Sequence, residues 1–302
     1  MPRTLLYGLV LFDLIEGEKY IGGPAINIAL HMACQGYFPT LVSCVGNDEL
    51  GGIAKQLLEK NKISTKYLVE DQEHETGWVK VCLDRDGNPS FEIVKPVAYD
   101  YIKLSAEQLA SLSQEAFDIF YFGTVVQRNK TSQKTLQKLI LNVTKKEVFF
   151  DINLRTGHYS KDIVDFSLEH TDILKLNDEE LIQVKELFGL NSRKDEQLIT
   201  WLFNRYKIRT ILMTRGEKGV SVFTRDGSKD IEGIKVKVKD TVGSGDAFSA
   251  GFIMEYLSCG DLIRAAVKGN ELGAYVATKT GAVPELDEKS PTLLNYKFGL
   301  EN

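Results

Sequence analysis

Apolar positions along the chain follow two alternating periods. Short apolar runs bounded by turn residues predict strands at Thr4 to Phe12, Thr40 to Val45, Ile119 to Phe122, Val148 to Ile152, Ile173 to Leu176 and Thr210 to Met213. Between them, apolar residues spaced three or four apart predict helices over Pro24 to Gln35, Leu50 to Asn61, Thr131 to Leu141 and Asp195 to Tyr206. Strands that alternate with helices in this way form a mostly parallel sheet covered on both faces. The expected fold is one α/β domain over residues 1–302.

Two segments break that rhythm. Gly77 to Leu83, the turn Asp84-Arg-Asp-Gly87, and Pro89 to Val94 read as a hairpin. Projecting from the sheet between its early strands, such a hairpin would make a β lid over a ligand crevice. Farther on, Ile234-Lys-Val236-Lys-Val238-Lys alternates strictly and predicts a further strand. It leads into Asp240-Thr-Val-Gly243-Ser244-Gly245-Asp246 and then an apolar helix over Ala247 to Leu257.

Composition narrows the classes of function. The 302 residues carry a net charge of −5 and no Lys/Arg-rich block, so neither a nucleic-acid nor a membrane partner is expected. The apolar N-terminal run is broken by Asp13 and Glu16, too short for a signal peptide or a span, which predicts a cytoplasmic chain. Four cysteines, Cys34, Cys44, Cys82 and Cys259, lack metal or disulfide spacing and read as reduced, mostly buried thiols.

In open α/β sheets ligands lie beyond the carboxyl ends of the strands, so the strand-to-helix turns are where chemistry is sought. The turn at 240–246 has the parts of a phosphoryl-transfer site. Gly243 and Gly245 let the backbone approach a ligand, the start of the helix presents amides and a positive dipole to an anion, and Asp246 adds a carboxylate able to accept a proton. Polar groups also cluster at Gly22-Gly23-Pro-Ala-Ile-Asn27, Asp151-Ile-Asn153-Leu-Arg155, Asn177-Asp-Glu-Glu180 and Thr214-Arg-Gly216-Glu-Lys-Gly219. Taken singly, each is a tight turn or a helix cap. Polar groups at the ends of several strands are more than a scaffold needs.

At these residues the chain resembles the ribokinase-like sugar kinases, the phosphofructokinase B family, over nearly its whole length. Asp240 to Phe248 is similar to that family's D-T-x-G-A/S-G-D signature, Gly22 to Asn27 to its G-G-x-x-x-N motif, and Asn177 to Glu180 to its N-x-x-E motif. Val45-Gly-Asn-Asp-Glu-Leu-Gly51, Tyr121 to Arg128 and Asp151 to Arg155 resemble the bacterial fructokinase branch. Leu9 departs from that branch, which often carries Glu there, while Asp13 is retained.

The resemblance implies a three-layer ribokinase-like fold with a β lid formed mainly by about 13–22 and 76–100, and an ATP-dependent kinase that phosphorylates a primary hydroxyl of a monosaccharide, fructose first. Asp246 would be the base and the amides of Gly243, Ser244 and Gly245 the anion hole, with Arg155 a cation near the transferring phosphate. Asp13, Gly22, Gly23 and Asn27 would hold the sugar, with Gln127 and Arg128 lining its pocket. Thr214, Gly216, Gly219 and Asn270 would line the nucleotide beside Asn177. Asn177 and Glu180 would act on Mg²⁺ through water. Asp240, the carbonyl of Val242 and the segment at Gly281 would form a monovalent-cation site for K⁺. Relatives pair through the lid, and Trp78 and Phe91 would suit such a homodimer.

Other readings stand beside this one. The same chemistry fits ribose, a 2-keto-3-deoxy sugar acid, a sugar phosphate or a nucleoside, and a non-catalytic sugar or nucleotide sensor could use the same scaffold. A dinucleotide-dependent oxidoreductase would need G-x-G-x-x-G after the first strand, and a P-loop kinase G-x-x-x-x-G-K-[ST]; the sequence carries neither.

Overall fold

The first predicted strand divides between two sheets. In the computed structural model, which describes residues 2–15, 18–83 and 89–284, β1 (Thr4–Tyr7) lies inside a nine-stranded sheet, whereas β2 (Leu11–Ile15) belongs to a four-stranded one. One continuous apolar run hides the break because both halves are buried: Leu5, Leu6 and Tyr7 are fully enclosed and Phe12 nearly so.

From there the chain runs through β3 (Glu18–Gly22), α1 (Pro24–Cys34), β4 (Thr40–Gly46), α2 (Glu49–Lys60) and β5 (Leu68–Asp71) to the hairpin of β6 (Gly77–Leu83) and β7 (Pro89–Ile93). The turn of that hairpin lies outside the described residues. The regular alternation follows: α3 (Ala106–Ser113), β8 (Ala116–Gly123), α4 (Lys130–Asn142), β9 (Thr144–Asp151), α5 (Lys161–Glu169), β10 (Ile173–Asn177), α6 (Asp178–Phe188) and α7 (Asp195–Arg205). The described chain closes with β11 (Thr210–Thr214), β12 (Val220–Thr224), β13 (Gly227–Ile231), α8 (Ser244–Cys259) and α9 (Leu262–Ala277).

The large sheet has the order β13-β12-β11-β10-β9-β8-β1-β4-β5, parallel except where β12 and β13 close one edge. The small sheet has the order β3-β2-β6-β7, with β2 and β6 parallel inside it. Alternate side chains of β1 enter two cores. Leu5 and Tyr7 belong to the core that also takes in Leu136 of α4, Val184 of α6 and Leu202 of α7, while Leu6 belongs to the one that takes in Ile26 of α1, Leu58 of α2, Phe252 of α8 and Ala266 of α9. Helices therefore cover both faces. Each fully buried aliphatic or aromatic side chain contributes about 1.5–3 kcal/mol of apolar burial, which is why both sides of these strands are apolar.

Two further sequence expectations are corrected. Residues 234–239 form no strand despite their alternation, because no neighbouring strand takes up their backbone. The amides of Lys239 and Asp240 instead donate to the carbonyl of Ala277, and Val238 is 57% exposed. The cysteines are not mostly buried: of the three whose side chains are described, Cys44 is buried and Cys34 and Cys259 are exposed, all three as free thiols. Among the described residues no helix is long and apolar enough to cross a membrane.

Candidate active site

Gly243 starts the site by ending the extended segment. Its φ of 77° is a left-handed conformation that side chains resist, and a Cβ there would collide with Ala282. That turn opens α8, which has no side-chain cap. The amide of Ser244 is taken up by the carbonyl of Thr241 at 3.2 Å. Within the described residues the amides of Gly243, Gly245 and Asp246 have no such partner, so the helix start is available to an anion. The Ser244 hydroxyl is buried and unpartnered as well.

Asp246 lies in the first turn of α8, partly buried. Its Oδ2 accepts from Asn27 Nδ2 at 2.7 Å. Burial is the largest influence on this carboxyl and, with the negative charge of Asp151, raises its pKa to about 6; the Asn27 bond, Lys175 and Arg155 oppose that rise. A carboxylate of this kind is ionised at neutral pH and still basic enough to take a proton from an alcohol. Arg155 is exposed, yet its charge acts on both Asp246 and Glu180.

Asn27 sits in α1, 2% exposed, and its Oδ1 has no partner. An orphaned buried acceptor is costly unless a ligand satisfies it. Its helix starts at Gly23, whose φ of 108° and close approach to Leu9 leave no room for a side chain: a Cβ would lie 2.5 Å from the Leu9 carbonyl oxygen and 2.9 Å from its Cδ1. Asp13, on β2, runs alongside Gly22 and is paired in register with Tyr20. Burial raises the Asp13 pKa, and the nearby charge of Asp240 adds to the rise.

At the ends of β9 and β10, Lys175 Nζ binds both carboxylate oxygens of Asp151, at 2.9 and 2.8 Å. Beyond it, Asn177 and Glu180 form a reciprocal capping box for α6, with Asn177 Oδ1 accepting from the Glu180 amide at 2.7 Å and Glu180 Oε2 from the Asn177 amide at 2.8 Å. Glu180 Oε1 also accepts from the Leu154 amide at 3.2 Å. Burial raises the Glu180 pKa, and Lys175 opposes that shift. No three carboxylate, His or Cys side chains converge on one point among the described residues. This donor set fits a hard cation carried by phosphate and water, with Glu180 lending charge and its remaining lone pairs, better than a cage of direct ligands.

The other sequence-assigned residues divide between turns and internal bonding. Thr214 ends β11, and Gly216 to Gly219 make the tight connection to β12, with Gly219 against the backbone of residues 231–233. Asn270, on α9, donates to the Glu232 carbonyl at 2.9 Å. Asp240 joins two loops, accepting from the amides of Val242 at 3.0 Å and Gly281 at 3.1 Å. Gln127 is 1% exposed, its Nε2 bonded to the Gly123 carbonyl and the Ser167 hydroxyl. Arg128 is also enclosed, forked onto Asp100, bonded to the Val94 carbonyl and stacked over Tyr99. The polar atoms of these last two serve the protein interior. Trp78 is only partly exposed, with its indole N–H on Glu75 at 2.9 Å, and the side chain of Phe91 lies outside the described residues.

Two residues were passed over in the sequence. Lys175 stands inside the apolar run Ile173 to Leu176, where its charge is the signal. His31, one turn after Asn27 on α1, is 2% exposed and donates from Nε2 to the Ala282 carbonyl at 3.0 Å, since a carbonyl can only accept. Burial lowers its pKa to about 4, against the pull of that bond. It ties α1 to the residue on which Gly243 rests.

Residues 11–289 match the pfkB family of carbohydrate kinases. The chain is 29% identical to an uncharacterized sugar kinase of Pyrococcus horikoshii, over 97% of this chain and 95% of that one. It is 27% identical to a nucleoside kinase of Methanocaldococcus jannaschii, over 90% of this chain and 83% of the relative. Among solved structures it superposes on Vibrio cholerae fructokinase bound to fructose, ADP and calcium with a TM-score of 0.79 and 26% identity, over 94% and 95% of the two chains. A double mutant of that fructokinase holds fructose, ADP and a potassium ion.

Proposed function

This chain belongs to the pfkB family of carbohydrate kinases and is an ATP-dependent sugar kinase, and we propose that it phosphorylates a primary hydroxyl of fructose. The observation that carries the reading is the Asn27–Asp246 bond, with Asn27 Oδ1 buried and unpartnered beside it. One asparagine faces the base with its amide and offers a sugar hydroxyl its carbonyl.

On this reading, Asp246 takes the proton of the sugar hydroxyl as that oxygen attacks the γ-phosphorus of ATP. The bond to the β,γ-bridging oxygen breaks, giving ADP and a sugar phosphate. Amides at the start of α8 receive the charge on the transferred group, with the charge of Arg155 added to theirs, which suits a reaction driven by positioning and electrostatics. Asp13 and Asn27 hold the sugar beside Gly22 and Gly23, and Thr214 to Gly219 with Asn270 face the nucleotide. Mg²⁺ would enter with ATP and neutralise phosphate charge, held through water by Glu180 and Asn177. K⁺ is assigned to the loop pair joined by Asp240, Val242 and Gly281, in line with the potassium of the fructokinase relative. The small sheet serves as the lid and as the surface for a homodimer, and the cytoplasm, where ATP is plentiful, as the location.

A panel of sugars and nucleosides with Mg²⁺ and ATP tests the proposal. Fructose should give the highest kcat/KM. Leu9 supports a second reading, a nucleoside, because it puts a buried aliphatic group, 6% exposed, against Gly23. Turnover of a nucleoside in place of fructose would decide for it.

A further inference from the structure

We infer that the buried Lys175–Asp151 ion pair positions the phosphate-binding turn and sets a fixed positive charge beneath Gly245, an inference that rests on the kinase reading above. Lys175 is 7% exposed and Asp151 1%. Stability alone is a poor reason for such a pair, because an apolar pair of similar volume is often as stable or more so. Its neighbours in β10, Ile173, Leu174 and Leu176, are all buried apolar residues, so an apolar residue at 175 would continue the strand's own pattern.

The pair faces the start of α8. Ser249, in the second turn of that helix, places its hydroxyl 3.2 Å from Asp151 Oδ2 and 3.1 Å from the Gly245 carbonyl. Tyr121 reaches the same carboxylate oxygen from β8 at 3.3 Å. Asp151 thus ties three strands and α8 together at one point. A Cβ on Gly245 would lie 3.4 Å from Lys175 Nζ, which places the ammonium directly under the turn.

A cation at the N-terminal end of a helix is unfavourable, since that end is already positive. Asp151 neutralises the ammonium overall, and Asp246 in the first turn of α8 is itself a carboxylate, so what the pair supplies is local: a fixed N–H⁺ close beneath Gly245, on the side of the turn where the kinase reading puts the transferred phosphate. The ammonium is held by both oxygens of Asp151, at 2.9 and 2.8 Å. The charged groups acting on Asp246 are Asp151 from β9, Lys175 from β10 and Arg155 after β9, besides the neutral amide of Asn27 from α1.

Two variants of the full chain, Lys175→Met and Lys175→Met/Asp151→Asn, test the inference beside wild type. The double variant removes both charges and keeps the fold accessible if the single one, with an unpaired buried carboxylate, does not fold. In the folded double variant kcat should fall about 10- to 100-fold, less than the roughly 10²- to 10³-fold for loss of a group that touches the transferred charge directly, while the sugar KM stays within about threefold. With Lys175→Met alone, the acid limb of kcat/KM should move to higher pH, because Asp246 then faces Asp151 without its counter-charge; the double variant should bring it back. A purely structural role would change the active fraction and leave the limb in place. A folded double variant with kcat within about threefold of wild type, or a single variant with an unmoved limb, overturns the inference while the kinase reading stands. A wild type that phosphorylates no sugar or nucleoside overturns both.

Discussion

Asn27 donates its side-chain amide to Asp246 at 2.7 Å, joining the start of α1 to the start of α8 across 219 residues of chain. Each helix begins at a glycine with positive φ, Gly23 and Gly243. The bond sets the carboxylate that would act as base directly against the group that would hold the alcohol.

Replacing Asp246 by Asn keeps the size of the side chain and removes its basicity. Turnover should fall by about 10²- to 10⁴-fold, the usual contribution of a positioned base, while calorimetry still detects sugar binding. In wild type, kcat/KM should decline as pH falls through about 6, where the carboxyl takes up its proton. Turnover by the Asn variant near the wild-type rate would remove Asp246 from this role.

The same carboxyl should cost stability. Its folded pKa, about 6, lies above the ordinary value of 3.8, so the folded state holds the proton more tightly than the unfolded one. The stability linked to that proton is present in full below about pH 4 and is lost as pH rises through about 6. Asp246→Asn should therefore melt higher than wild type at pH 7 to 8, with the gap closing toward pH 4. Thermal unfolding of both proteins across that range checks the sign; a gap that widens on acidification would show it reversed.

Asn27→Ala removes the donor that helps keep Asp246 ionised, so the acid limb of kcat/KM should move to higher pH. The sugar KM should rise as well, since the orphaned Oδ1 is the acceptor offered to the substrate. Steady-state kinetics at several pH values separates the two effects.

Much of this site was legible because it sits where a period changes. Gly22 to Asn27, Asp151 to Arg155, Asn177 to Glu180 and Gly243 to Asp246 all mark ends of buried strands or starts of helices, and the structure places them there. Three-dimensional pairing was not legible. Nothing local shows that Asn27 meets Asp246, that Lys175 in an apolar strand pairs with Asp151, or that Arg128 is spent on Asp100. Sequence also could not divide Thr4 to Phe12 between two sheets, since both halves are equally apolar.

Gly243→Ala should be far more damaging than Gly36→Ala. Both glycines have φ near 80°, so both substitutions cost about 1–2 kcal/mol for the left-handed backbone. A Cβ on Gly36 meets nothing within 4 Å, whereas one on Gly243 meets Ala282. Crowding of that kind adds about 1–3 kcal/mol, and it displaces the turn that offers its amides to phosphate. Chemical denaturation gives the stability difference, and kcat should fall only for the Gly243 variant. Equal midpoints for the two would show that the contact with Ala282 yields.

Val238 and Val222 separate pattern from packing. Both lie in segments where apolar and polar residues alternate, but Val222 is 2% exposed within β12 and Val238 is 57% exposed in a stretch without a ladder. Alternation alone would assign them similar roles. Burying the hydroxyl of a threonine without a partner costs about 1–3 kcal/mol, and an exposed substitution away from any special feature falls within about 0.5 kcal/mol. Val222→Thr should therefore lower the denaturation midpoint clearly and Val238→Thr should leave it nearly unchanged. A large loss at Val238 would mean that residues 234–239 do pair as a strand in solution, and that the alternation was a sound guide after all.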